Sequence, residues 1–220
     1  MRNLSFTKKC LAFCLLAFPV LSILAFLLHF HSLSGFFHFT WTRPPYHAEG
    51  LFNALVSGRG HGFVVAHSFV YLAMPFLILT ILVLTWYLLQ VDQVLALVGA
   101  VLGIIGGLAM VGVIATWLSF AGVAHVDPQY YDGARAALVE LTKMQGTLGL
   151  NTTLSYACFI GLIILSGGLI IRRQFPPLNM ILIMVGSLLF ILFMDMDNWM
   201  LIGTVLLGIG LIPVVKRLRS

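Results

Sequence analysis

Along the chain, apolar residues gather into six long runs, at about 10–30, 63–90, 94–120, 148–171, 178–194 and 199–215, separated by short polar breaks. A helix needs about 20 apolar residues to cross the hydrocarbon core, and the last two runs lie near the short limit. Runs so long and continuously apolar are not barrel strands, which alternate polar and apolar positions over about ten residues. Buried backbone groups must be satisfied within each segment, so the pattern predicts helices. Val91-Asp92-Gln93 makes one tight turn and Asp195-Met196-Asp197-Asn198 another. The first run follows Arg2, Lys8 and Lys9 as a secretory signal would, but it is longer than a signal's apolar region and ends in His29-Phe30-His31. It reads as a retained span.

Two longer segments, 34–62 and 121–147, interrupt the pattern on one side. The first carries Phe36, Phe37, Phe39, Trp41, Tyr46 and Phe52, and Arg43-Pro44-Pro45 forces an extended turn. Leu51, Phe52, Leu55 and Val56 then recur at helical spacing before the tether Gly58-Arg59-Gly60-His61-Gly62. In the second, Asp127 can cap a helix, Pro128 can fill its first turn, and Ala134, Leu138 and Leu141 make an apolar stripe. Asp132 with Arg135 and Glu140 with Lys143 are i, i+3 pairs suited to an exposed face. The fold expected is therefore all-α: a polytopic membrane protein, one six-helix transmembrane domain with two short amphipathic surface helices on the outer face. Gly99, Gly103 and Gly107 recur every four residues in the third span, with Gly161, Gly167 and Gly168 in the fourth and Gly203, Gly208 and Gly210 in the sixth. Such stripes let helices approach closely, and packing inside the bundle is favoured over a dimer interface.

Composition agrees. The 220 residues are 60% hydrophobic and only 9% charged, too few charges to solvate a globular surface. The net charge of +5 comes from clusters beside the apolar runs, which is how orientation signals are distributed, so no nucleic-acid partner is read. Arg2, Lys8, Lys9, Arg172, Arg173, Lys216, Arg217 and Arg219 fall on one side, against Arg43, Arg59, Arg135 and Lys143 on the other, which places both termini in the cytoplasm. Cys10, Cys14 and Cys158 lie in apolar runs and do not suggest a disulfide framework. The chain resembles small polytopic membrane proteins of bacteria in architecture alone, without a shared motif, which implies the plasma (inner) membrane.

Candidate chemistry lies at the outer level. His29, His31, His38, His47, His61, His67 and His125 all fall at or beyond it. A rise of about 1.5 Å per residue carries His29 and His67 about 30 Å from the opposite interface. The turn Asp195–Asn198, Asp127 and Met194, Met196 and Met200 share that layer. Imidazole with carboxylate suits a transition metal, and the chosen candidates are His61, His67, His125 and Asp127. A transition metal or haem at the outer face is thus one expectation. The plainer reading is that histidine is amphipathic and these spacings are undiagnostic: no His-Glu-x-x-His or haem-attachment motif is present. No ionisable residue occupies the middle of a span, which weighs against proton- or ion-coupled transport. The buried serines and threonines are expected to bond back to helix carbonyls.

Three functions follow. The leading one is a non-enzymatic accessory or interaction subunit whose outer cap contacts another membrane protein or lipid headgroups. The second is an outward metal or haem site with redox or hydrolytic activity. The third is a facilitator of a neutral or lipophilic solute.

Overall fold

The structure is a computed structural model that describes residues 2–29, 37, 39, 41, 48–143, 145–194 and 196–220. Every regular element among the described residues is helical. Six helices form the bundle: α1 (Arg2–His29), α3 (His61–Leu89), α4 (Gln93–Ser119), α6 (Gly146–Ile171), α7 (Pro177–Leu192) and α8 (Asp197–Arg219). All except α7 are long and apolar enough to cross a membrane, and α7 is a shorter apolar helix. The surface helices are α2 (Ala48–Val56) and α5 (Tyr131–Thr142), the latter entered through 3-10 turns at Phe120–His125 and Pro128–Tyr130. Of the stretch 34–47, only Phe37, Phe39 and Trp41 belong to the described residues. His31, His38 and His47, the Arg43-Pro44-Pro45 turn and Asp195 lie outside them.

The bundle closes as a ring in which α1 packs on α3, α3 on α4, α4 on α6, α6 on α7, α7 on α8 and α8 on α1. Glycines set the tightest of these contacts. A Cβ on Gly106 would lie 2.0 Å from the Cys158 backbone nitrogen, and one on Gly161 would lie 2.5 Å from that of Gly103. Gly186 and Gly203 meet in the same way between α7 and α8. Bare backbone at these positions brings helices into van der Waals range, the main source of association where lipid removes the hydrophobic drive. The α4 stripe thus serves internal packing, but it divides: Gly99 faces Leu165 of α6, whereas Gly103 and Gly107 face Ile81 and Ile78 of α3, and Gly106, beside the stripe, makes the closest contact with α6. Gly167, expected among the counterparts, faces open space, where a Cβ would meet nothing within 4 Å.

At the end carrying both termini, the arginine end, short turns are stapled by charge. Asp92 caps α4 by accepting from the Leu95 backbone N–H at 3.1 Å, and Arg172 donates to its Oδ2 from both Nε (3.1 Å) and Nη2 (2.7 Å). The Leu95 N–H and then the Arg172 guanidinium hold the Asp92 carboxyl below the usual carboxylate range. Helix α6 ends in a Schellman motif: Gln174 N–H reaches the Leu169 carbonyl, Arg173 N–H reaches Ile170, and Arg173 takes the left-handed φ of 52°. Pro176 and Pro177 then begin α7. Arg217 closes the turn by donating to the Gln174 carbonyl at 3.0 Å, with its guanidinium 5.0 Å from the Tyr87 ring and 5.2 Å from the Phe175 ring.

At the opposite, histidine end, α2 and α5 use their apolar faces on the protein itself. Phe52 and Leu55 of α2, Leu138 of α5, Val113 and Trp117 of α4, Phe120 and Leu148 form a second buried cluster. Of the expected α5 stripe, Leu138 is buried and Ala134 packs against it, whereas Leu141 is exposed. Glu140 pairs with Lys143 as expected, while Arg135 lies over the Phe52 ring at 5.2 Å. The 57–60 segment is a tight turn more than a tether: Gly58 has φ 74°, and Gly60 sits so close to Leu55 that a Cβ would lie 2.7 Å from its Cδ2.

Candidate functional site

A cavity of about 400 Å³ opens inside the ring at the histidine end, lined by residues of α1, α3, α4, α6, α7 and α8 and by Leu51 and Ala54 of α2. Its walls are aromatic and thioether rich: Phe18, Phe26, Phe159 and Phe190, with Met74, Met110, Met194 and Met200. Methionine's flexible, polarisable side chain suits a surface that adapts to different apolar shapes. Of the polar lining groups, His29, Asp197 and His67 sit at one level, Arg59 belongs to the turn before α3, and buried Ser22 is about two turns deeper along α1.

Local structure aims each of them. Ser22, Phe26 and His29 are spaced by four and three, so one face of α1 carries all three inward. Asp197 opens α8, where the positive end of the helix dipole favours a carboxylate. Its Oδ1 accepts from His29 Nδ1 at 2.9 Å. On α3, His67 Nδ1 donates to the carbonyl of Phe63, one turn earlier, also at 2.9 Å. The two imidazole centroids lie 5.1 Å apart, and the Phe63 and Trp117 rings flank His67 at 4.0 and 6.3 Å.

These partners fix the hydrogens. A backbone carbonyl has none to give, so the hydrogen of neutral His67 is on Nδ1 and its Nε2 is a bare acceptor. The Asp197 carboxylate likewise requires the hydrogen of neutral His29 to be on Nδ1, leaving Nε2 with a lone pair. That His29 Nε2 is buried and makes no hydrogen bond among the described residues. With both rings neutral, the pair carries acceptor nitrogens and no free N–H.

Of the four residues expected to hold a metal, only His67 lines the cavity. His61 is exposed at the first turn of α3, and His125 is exposed at the end of a 3-10 turn. Asp127 caps the next turn, accepting from the Gln129 N–H at 3.3 Å, and does not reach the cavity. Among the described residues no group of three or more His, Cys, Asp or Glu side chains is gathered to hold a metal ion. The residues brought to His67 are instead His29 and Asp197, which the helix rise places at one level but which only the ring packing brings face to face.

The hydroxyls within the spans behave mostly as expected. Thr80, Thr85, Thr116 and Thr204 each donate to the carbonyl four residues earlier. Ser166 and Ser187 depart from this pattern, buried with no hydrogen-bond partner among the described residues.

Comparison with protein-family models, with curated proteins and with solved structures finds no match for this chain. Any functional reading therefore rests on the site itself.

Proposed function

We propose that the protein binds a small lipophilic molecule within the bilayer and facilitates its movement at or across the membrane. The carrying observation is the cavity of about 400 Å³, apolar in its walls and polar at one level near its mouth, enclosed by every helix of the bundle. Pockets of this size and character are where small ligands are held, with a few polar groups fixing their orientation. The lack of ionisable residues in the middle of the spans agrees with a neutral passenger, for which no buried charge is needed. The accessory-subunit reading has less support, because α2 and α5 turn their apolar faces onto one another and onto α4. The clusters of Lys and Arg favour both termini in the cytoplasm, so the cavity would face the outer side of a bacterial plasma membrane.

Trp117 lines the cavity and provides a reporter. In lipid nanodiscs, bromine-labelled dodecyl compounds are expected to quench Trp117 saturably, in a component that disappears in Trp117→Phe. Val70→Phe, which adds a ring to the cavity wall, should abolish that saturable component. Quenching that rises linearly with bilayer content and is the same in Val70→Phe would overturn the reading.

A further inference from the structure

The length of the cavity, set against its volume, narrows the shape of the ligand, an inference that rests on the cavity being a binding site at all. The 5.1 Å between the His29 and His67 rings fixes the register of antiparallel α1 and α3. From that level the lining descends in pairs at helical spacing: Phe26 with Val70, Ser22 with Met74 and Phe18 with Leu77. Ten or eleven residues at about 1.5 Å each make the descent about 15–16 Å long. Glycines set where it stops. Just beyond Met110, the lowest α4 residue of the lining, a Cβ on Gly107 would lie 2.9 Å from Ile78 and one on Gly103 2.8 Å from Ile81, so α4 closes onto α3. Phe18 and Leu77 are buried at this floor, and Leu15 and Ile81 beneath them are fully buried. The lining also tapers. Every helix of the ring contributes in the upper half, where Phe159 of α6 stacks on Phe190 of α7 and Phe190 meets Phe26, but only α1 and α3 reach the floor.

A cavity of about 150 Å³ takes up benzene, so 400 Å³ suits roughly sixteen non-hydrogen atoms. Gathered into one compact body they would be about 9 Å across and leave the lower layers empty, where wall atoms forfeit dispersion contacts. Drawn out in single file they fill the descent, much as one acyl chain fills its leaflet of about 15 Å. A second chain exceeds the volume. Because each helix of the ring packs on the next, the way in is the mouth at the histidine end.

We infer that the cavity is a slot of fixed length for one unbranched hydrocarbon chain: a single-chain amphiphile enters tail first, the tail ending on Phe18 and Leu77 and the head staying at the level of the two imidazoles. Ser22 and Leu77 are then specificity-determining residues, which set how long a tail the slot accepts.

The test uses full-length protein in nanodiscs with Trp117 quenching as the readout, and one uncharged head throughout so that only the tail varies. Across 2-bromoalkan-1-ols of increasing length, affinity referred to the bilayer concentration should be highest at about fourteen carbons, which with bromine and oxygen make sixteen atoms. It should fall about tenfold a few carbons beyond, the scale of overpacking. Cyclododecanol has as many non-hydrogen atoms as dodecan-1-ol but holds them in a ring, and should displace 2-bromododecan-1-ol about tenfold less well. Ser22→Leu fills the third layer and should move the optimum to shorter chains, whereas Leu77→Ala lowers the floor and should move it to longer ones. A folding defect weakens every length alike and moves no optimum, and Ser22→Leu, which opens no core cavity, carries the test if Leu77→Ala does not fold. Affinity independent of length, equal displacement by ring and chain, or the same length profile, weakened or not, in Ser22→Leu would each overturn the inference while leaving a lipophile-binding cavity. Failure of every probe to quench saturably would instead remove the binding reading beneath it.

Discussion

The two ends of the bundle are made from the same six helices and are built for opposite purposes. At the arginine end, turns are short, Arg172 and Arg217 staple neighbouring segments, and the interior is filled by the fully buried side chains of Leu84, Leu88, Leu165, Leu169 and Met180. At the histidine end the ring encloses about 400 Å³ and two polar imidazoles, and the small helix α2 lies across one side of the opening. A closed half held by charge, joined to the rest by glycine contacts at mid-bundle, provides the rigidity against which an open half keeps its shape. The contrast implies that adding carbon should have opposite signs at the glycine contacts and at the cavity wall.

The largest effect is expected at Gly106, on the tight α4–α6 contact. Alanine there places a carbon 2.0 Å from the Cys158 nitrogen and 2.7 Å from its Cα, and backbone cannot swing aside as a flexible side chain would. The two helices must part. Gly106→Ala should lower stability by about 1–3 kcal/mol, the common range for overpacking, measured by reversible unfolding in mixed micelles. Stability unchanged in that variant would mean that the contact is not as close as described.

A smaller change, in the favourable direction, is expected where the arginine end carries strain. Arg173 ends α6 in the left-handed region, at the position of a Schellman motif where glycine is usual. Arg173→Gly removes the Cβ penalty and should stabilise by about 1 kcal/mol, less the greater freedom that glycine has when unfolded. A loss of stability would assign Arg173 a side-chain contact that outweighs its backbone strain.

In the open half, Val70→Ile adds one methyl group facing the cavity instead of a neighbouring backbone. It should stabilise by a few tenths of a kcal/mol through new dispersion contacts, and weaken binding of the brominated dodecyl probes. Gly106→Ala and Val70→Ile are thus the same operation with opposite signs. If both destabilise, the cavity wall is packed as tightly as the helix contacts and the contrast fails.

Much of this architecture is legible in the sequence because bilayer thickness and the helix rise are one-dimensional rules. They give six helices, their turns and the level at which His29, His67 and Asp197 sit. Which residues at that level face one another depends on rotation and neighbour order, which apolar spans encode weakly: α3 and α4 are apolar nearly all round, so no face announces the interior. That is why His61, His125 and Asp127 stand as equal candidates with His67 in the sequence, although the structure leaves them at helix and turn ends away from the cavity. A partial signal for the pairing is present in the spacing Ser22, Phe26, His29, which puts a hydroxyl and an imidazole on one inward line of α1. The cavity itself is a difference between the volume enclosed by the ring and the volume of the side chains within it, and it has no signature in sequence periodicity.

The smallest expected effect is the charge staple at the arginine end, and pH isolates it. The folded-state carboxyl of Asp92 titrates lower than in an unfolded chain, held first by the Leu95 N–H and then by Arg172. Its contribution is therefore complete above the ordinary aspartate value of about 3.9 and lost as pH falls through the lower folded value. Asp92→Asn keeps a good helix cap while removing the charge that Arg172 reads, so the difference in unfolding midpoint between wild type and variant should be largest near neutral pH and shrink as the solution is acidified below about pH 3.9. Because Arg172 is half exposed, added salt should reduce that difference at neutral pH as well. Hydrogen exchange should rise around Asp92 and Arg172 in the variant while α2, at the far end, stays unchanged. No difference between wild type and variant at any pH or salt concentration would mean that the cap alone holds this turn and that the charge read by Arg172 adds nothing to it.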